Sequence, residues 1–216
     1  MRLKVFALAT AAAGAFALAA IAAAATIVGS PGDDVLRGTN DTDRISALAG
    51  NDHVYARDGG DDVRAGSGND GVRAGNGGDL VYGGHGSDFV AGGRGNDRLK
   101  GGSDADEVLG GDGGDRASGN RGDDSVSGNE GHDSLFGGWG ADRVFGGTGN
   151  DELHALAPDE QPDLLDCGPG NDKAFVLHSE RASTRLVQCE TVYVAVTLTS
   201  DQEEGENAEA DAEADE

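Results

Sequence analysis

From Gly29 to His154 the chain repeats every nine residues, fourteen times, with no insertion or deletion. Representative units read AGSGNDGVR, AGNGGDLVY, GGHGSDFVA and GGRGNDRLK. The sixth position is aspartate in every unit: Asp34, Asp43, Asp52, Asp61, Asp70, Asp79, Asp88, Asp97, Asp106, Asp115, Asp124, Asp133, Asp142 and Asp151. The eighth is Leu, Ile or Val throughout, from Leu36 and Ile45 to Val144 and Leu153, with Ala117 the exception. The fourth is glycine except at Asp41 and Asp104, and aspartate tolerates the left-handed backbone better than most side chains. Composition alone would suggest disorder, with 38 glycines, 5% aromatics and a net charge of −24. A disordered tract has no reason to hold an acid and a branched aliphatic in strict phase, so the period excludes that reading.

Each unit reads as a six-residue turn followed by a three-residue strand. The glycines admit positive φ in the turn. In the strand the eighth residue points inward and its flanks point out. This core is thin. One buried aliphatic contributes about 1.5–3 kcal/mol, less than the conformational entropy lost on ordering nine residues. A second source of stability is needed, and the acid excess points to bound cations rather than to nucleic acid or an anionic membrane surface.

The units resemble the G-G-x-G-x-D-x-U-x repeat of the RTX, or haemolysin-type, calcium-binding proteins, where U is a large aliphatic. The resemblance implies an all-β fold, a parallel β-roll (β-solenoid) in which two units make one coil. Aspartates would then stack in two columns, Asp34 to Asp142 and Asp43 to Asp151, each taking every second unit. With the turn carbonyls they would offer hard oxygen ligands to multiple Ca²⁺ ions, and Mg²⁺ would fit less well because it dehydrates reluctantly. After His154 the period slips by Ala155-Leu156-Ala157 and resumes as PDEQPDLLD and CGPGNDKAF, adding Asp163 and Asp172 to the expected ligands. The first four units carry Ser30, Thr39, Leu48 and Arg57 at position two, so weaker binding, or an N-terminal capping role, is expected there.

Four segments are expected: a signal peptide over 1–25, the roll over 26–154, degenerate repeats and a C-terminal β cap over 155–200, and a disordered, solubilising acidic tail over 201–216. Arg2 and Lys4 precede an apolar run that ends in Ala23-Ala24-Ala25, as in an export signal cleaved after Ala25, with an uncleaved anchor as the alternative. This implies a secreted, bacterial protein using the general export route. Many RTX proteins instead leave through a one-step channel guided by a C-terminal signal. The stretch Thr191–Thr199 reads as a strand that either caps the roll or pairs with a partner protein. Cys167 and Cys189 suit a disulfide in an exported chain, free thiols being the alternative.

Neither G-x-S-x-G nor H-E-x-x-H occurs, nor an EF-hand loop. The five histidines fall at different repeat positions and read as surface residues. The expectation is therefore a non-enzymatic, calcium-dependent extracellular scaffold or binding module. It would have Ca²⁺ and a cell-surface or extracellular protein as partners, with no nucleic acid and no membrane insertion. An adhesive or ice-binding solenoid and an accessory to a secreted enzyme are the competing readings.

Overall fold

Burial alternates along the repeats: each eighth-position side chain from Leu36 to Leu153 is at most 2% exposed, while residues seven and nine face outward or are half-buried, apart from the buried Ser118. The computed structural model describes residues 24–195. Consecutive units form strands in two different sheets, and pairing runs between residues eighteen apart, as in Ile45↔Val63 and Val54↔Val72.

One sheet has ten parallel strands. It begins with β1 (Thr26–Val28), β3 (Arg44–Ala49), β5 (Asp62–Ser67), β7 (Leu80–His85) and β9 (Arg98–Ser103). It continues through β11 (Arg116–Arg121), β13 (Ser134–Trp139), β15 (Glu152–Ala155), β17 (Lys173–Leu177) and β19 (Thr191–Ala195). The other sheet has nine. Its first strands are β2 (Val35–Arg37), β4 (His53–Asp58), β6 (Gly71–Asn76), β8 (Phe89–Arg94) and β10 (Glu107–Asp112). The rest are β12 (Ser125–Gly131), β14 (Arg143–Gly149), β16 (Leu164–Asp166) and β18 (Arg185–Val187). This is the parallel roll that the family resemblance implies. Among the described residues there is no helix.

The strands are longer than the sequence suggests. Most run six residues, over positions seven to nine and on through one to three of the next unit, and leave a turn of only three. The reason is a bend that does not end the ladder. From Leu48 onward position two takes positive φ, yet Gly66↔Gly84 and Ser67↔His85 pair after Arg64↔Tyr82. Leu48 (φ 84°) and Arg57 (φ 88°) hold this conformation without being glycine, and strain the early coils. At position four Asp104 takes it with φ 74°, as expected of aspartate, whereas Asp41 does not adopt it. Position one also points inward. Ala47 and Ala65 in the ten-stranded sheet and Ala56 and Ala74 in the nine-stranded one are fully buried there.

The slip after His154 is absorbed between β15 and β16. Pairing shifts to twenty-one residues, Val144↔Leu165 and Leu153↔Ala174, and Leu156 and Ala157 are buried. The expected cap takes another form. β18 and β19 add in parallel to β16 and β17, so this segment is the last coil of the roll rather than a cover over it. Thr184 and Glu190 stand where the aspartates would fall, which hides the coil in the sequence. Val192, Tyr193 and Val194 of β19 are exposed, and nothing among the described residues covers them. The strand expected over 191–199 is described as far as Ala195, and the remainder lies outside the described residues.

Cys167 and Cys189 form a disulfide with a Cα–Cα distance of 5.1 Å, tying the last coil to the one before. At the other end the ladder starts at Ala25, whose N–H donates to Asp43 Oδ1 (2.6 Å) and whose carbonyl accepts from Arg44 (2.8 Å). The expected signal segment otherwise lies outside the described residues, as does the acidic tail. No helix among the described residues is long and apolar enough to cross a membrane.

Candidate metal centre

The turn leaves the backbone N–H of position six without a strand partner, and a buried donor must be paired. The aspartate one coil further on supplies the acceptor. Asp88 Oδ1 accepts from Asp70 N–H (2.7 Å), Asp106 Oδ1 from Asp88 (2.7 Å) and Asp124 Oδ1 from Asp106 (2.7 Å). The second file does the same, with Asp97 to Asp79, Asp115 to Asp97 and Asp133 to Asp115, each at 2.8 Å. Both files run across the slip, through Asp142 to Asp163 and Asp151 to Asp172, both at 2.9 Å. The two expected columns are therefore present, with all sixteen aspartates buried. They line the inside of each edge rather than its outer rim.

The second carboxylate oxygen has no such use. Oδ2 of Asp52, Asp61, Asp70, Asp79, Asp88, Asp97, Asp106, Asp115, Asp124, Asp133, Asp142, Asp151 and Asp172 is buried without a hydrogen-bond partner. From Asp88 to Asp151 it lies against the position-one glycine of its own unit. A Cβ at Gly83 would overlap Asp88 Oδ2 and the Gly101 carbonyl, and one at Gly110 would meet Asp115 Oδ2 and the Gly128 carbonyl. An orphaned anionic oxygen beside a backbone carbonyl is the donor chemistry a hard cation takes. No group of three or more His, Cys, Asp or Glu side chains clusters among the described residues, so carbonyl oxygens must complete any such shell.

Without a cation these carboxylates keep a proton to higher pH than an ordinary aspartate does. Desolvation pushes Asp52, Asp61, Asp88, Asp97 and Asp124 up to about 7. Asp106 and Asp142 rise to about 8, again mainly by burial, with repulsion from neighbours in the file adding to it. Asp133 and Asp163 reach about 6. The hydrogen bond from the preceding coil opposes the rise in every case but does not cancel it.

The first two units differ from the rest. Asp34 Oδ2 accepts from Ser30 N–H and Asp43 Oδ2 from Thr39 N–H, both at 2.5 Å, and the Thr39 hydroxyl adds bonds to Asp43 (3.0 and 3.1 Å). A non-glycine side chain at position two was expected to set four units apart. The satisfied carboxylates set apart two, because Asp52 and Asp61 keep their orphaned oxygens.

Two features escaped the sequence reading. Position-five side chains bond the next coil's backbone. Asn51 N–H donates to Asp33 (2.7 Å), Asn69 to Asn51 (2.8 Å), Ser87 to Asn69 (3.0 Å) and Gly114 to Asn96 (2.7 Å). The signal was the recurrence of Asn and Asp at that position. His154 is the second, and it corrects the expectation of a surface residue. Its ring stacks between Phe136 (4.3 Å) and Phe175 (4.6 Å), Tyr193 extends the stack, and burial drives its pKa down to about 4. The ring is reached by register alone, since Phe136, His154 and Phe175 are ladder partners.

Two parallel sheets closed by glycine turns, with aspartate files inside both edges, define a calcium-binding β-roll. The model of the RTX calcium-binding nonapeptide repeat matches residues 23–54, 37–72, 55–90, 64–99, 82–117 and 118–153. The chain belongs to the RTX calcium-binding nonapeptide-repeat family, whose repeats bind Ca²⁺ at multiple sites. No curated protein matches it.

Proposed function

We propose that this is an exported, non-enzymatic scaffold or binding module that gains its folded form by taking up calcium along both aspartate files. The observation that carries the reading is the set of orphaned Oδ2 atoms, of which those of Asp88, Asp97, Asp115, Asp133 and Asp151 lie beside a backbone carbonyl oxygen. The aspartates at position six, from Asp34 to Asp172, would hold the ions together with backbone carbonyls. Calcium would supply the counter-charge that a chain of net charge −24 otherwise lacks. Binding free energy then becomes folding free energy. Export is supported by the basic, apolar and small-residue order of the first 25 residues and by the disulfide.

Far-ultraviolet circular dichroism at about pH 8, on the alkaline side of most of the raised carboxyl values, tests the folding reading. A chelated sample should lack β-structure and regain it on adding Ca²⁺, with Mg²⁺ far less effective. A β-rich spectrum that survives excess chelator at this pH overturns it. Export is tested separately, by finding the protein outside intact cells with an N-terminus newly cut near Ala25.

A further inference from the structure

The two faces of the roll carry different charge. The strands β3, β5, β7, β9, β11 and β13 hold six cations, Arg44, Arg64, Arg98, Lys100, Arg116 and Arg121, against the single carboxylate Asp62. That carboxylate is already paired with Arg44 at 3.1 Å. On the opposite face β4, β6, β8, β10, β12 and β14 hold four cations, Arg57, Arg73, Arg94 and Arg143, against four acids, Asp58, Glu107, Asp112 and Glu130. Aromatic rings hold several cations on the basic face: Arg64 and Lys100 lie over Tyr82 (5.7 and 5.5 Å) and Arg116 over Phe136 (4.2 Å). A basic, aromatic strip on a strongly acidic chain calls for an anionic occupant.

The chain carries one. Residues 201–216 contain nine carboxylates and no cation. They follow from β19, which is the last strand of the basic sheet and not of the neutral one. From β19 to β9 is five strand steps, about 24 Å at the usual spacing. An extended chain covers that in about seven residues, so every carboxylate from Glu203 onward can reach Lys100.

We propose that the acidic segment Asp201–Glu216 binds back along the outer face of the ten-stranded sheet, over Arg64, Arg98, Lys100 and Arg116. It would act as an internal polyanion that occupies this face of the folded roll. The proposal rests on the roll being folded, and not on export.

The chain suits a direct test, because Lys100 and Lys173 are its only lysines beyond residue 25, and both lie on this sheet. Calcium-loaded full-length protein, shown folded by circular dichroism, is treated with a zero-length carbodiimide and its peptides are mapped. The Lys173–Glu152 pair, 2.6 Å apart, is the internal control for coupling. Lys100 should link to carboxylates of 203–216 within the monomer. The link should be lost at about 1 M salt, where the Debye length falls to about 3 Å. It should also be lost in an Arg64→Ser, Arg98→Ser, Arg116→Ser variant that remains folded. Control coupling with no link from Lys100 to the tail overturns the proposal. So do links found only in a covalent dimer, which would make the occupant a second copy.

Discussion

From Asp52 to Asp151 each position-six aspartate has two tasks proposed for its two oxygens: Oδ1 bridges coils, and Oδ2, buried without a hydrogen-bond partner, would take a cation. The tasks can be separated. Asp97→Asn keeps an acceptor for Asp79 N–H but removes the charge, so the calcium midpoint should rise while metal-free structure at low pH is retained. Asp97→Ala leaves that buried N–H unpaired as well and should cost about 1–3 kcal/mol more. Equal behaviour of the two variants in calcium and urea titrations would show that the bridge contributes nothing. The raised carboxyl values also fix the sign of a pH effect. These pKa values are higher folded than the ordinary 3.8, so the stabilisation is complete below that value and is lost as pH rises through about 6 to 8. His154, lowered to about 4, works the other way, but it is a single group against two files. In chelator, circular dichroism should therefore show β-structure at about pH 4.5 that melts out by about pH 8. A metal-free signal that grows with pH would contradict the assignment.

At the scale of the strand, the sequence was legible where a side chain had one use. Val72 and Val90 could only be core, whereas the column of Asp70 and Asp88 followed from the family resemblance and not from the nine-residue period. Position one was misread because Ala74 and Gly83 look like turn residues, whereas they face inward beside a carboxylate. The direction of the aspartates was not legible either, since it depends on which backbone N–H the turn leaves unpaired. The last coil was hidden because Thr184 and Glu190 replaced its aspartates and because the 155–157 slip broke the count. In that coil only Glu190 continues a file, accepting from Asp172 N–H (2.9 Å), and the Cys167–Cys189 bond joins it to the rest. Closing a loop of this size is worth roughly 3 kcal/mol on the chain-entropy model. Cys189→Ser should leave the central coils folded in calcium while exposing residues after Cys167 to protease. Unchanged cleavage would mean that β-pairing alone holds β18 and β19.

At the scale of the molecule, coils touch only their neighbours, and folding should propagate along the axis. Asp97 lies mid-file, and Asp43 lies near the end with an oxygen already satisfied by Thr39. Asp97→Ala should raise the calcium midpoint and flatten the transition more than Asp43→Ala, as read by circular dichroism. Equal slopes would mean independent sites. The eighteen-residue pairing offset adds a rule of parity. Removing 83–100 shortens the roll by one coil and leaves every later strand in its own sheet. Removing only 83–91 keeps the nine-residue phase but sends each later strand to the opposite sheet. Arg98 and Arg116 would then part from Arg44 and Arg64, while Lys100 and β19 would still travel together. For an array built this way, odd and even edits are different operations: one shortens the protein, the other exchanges its front for its back.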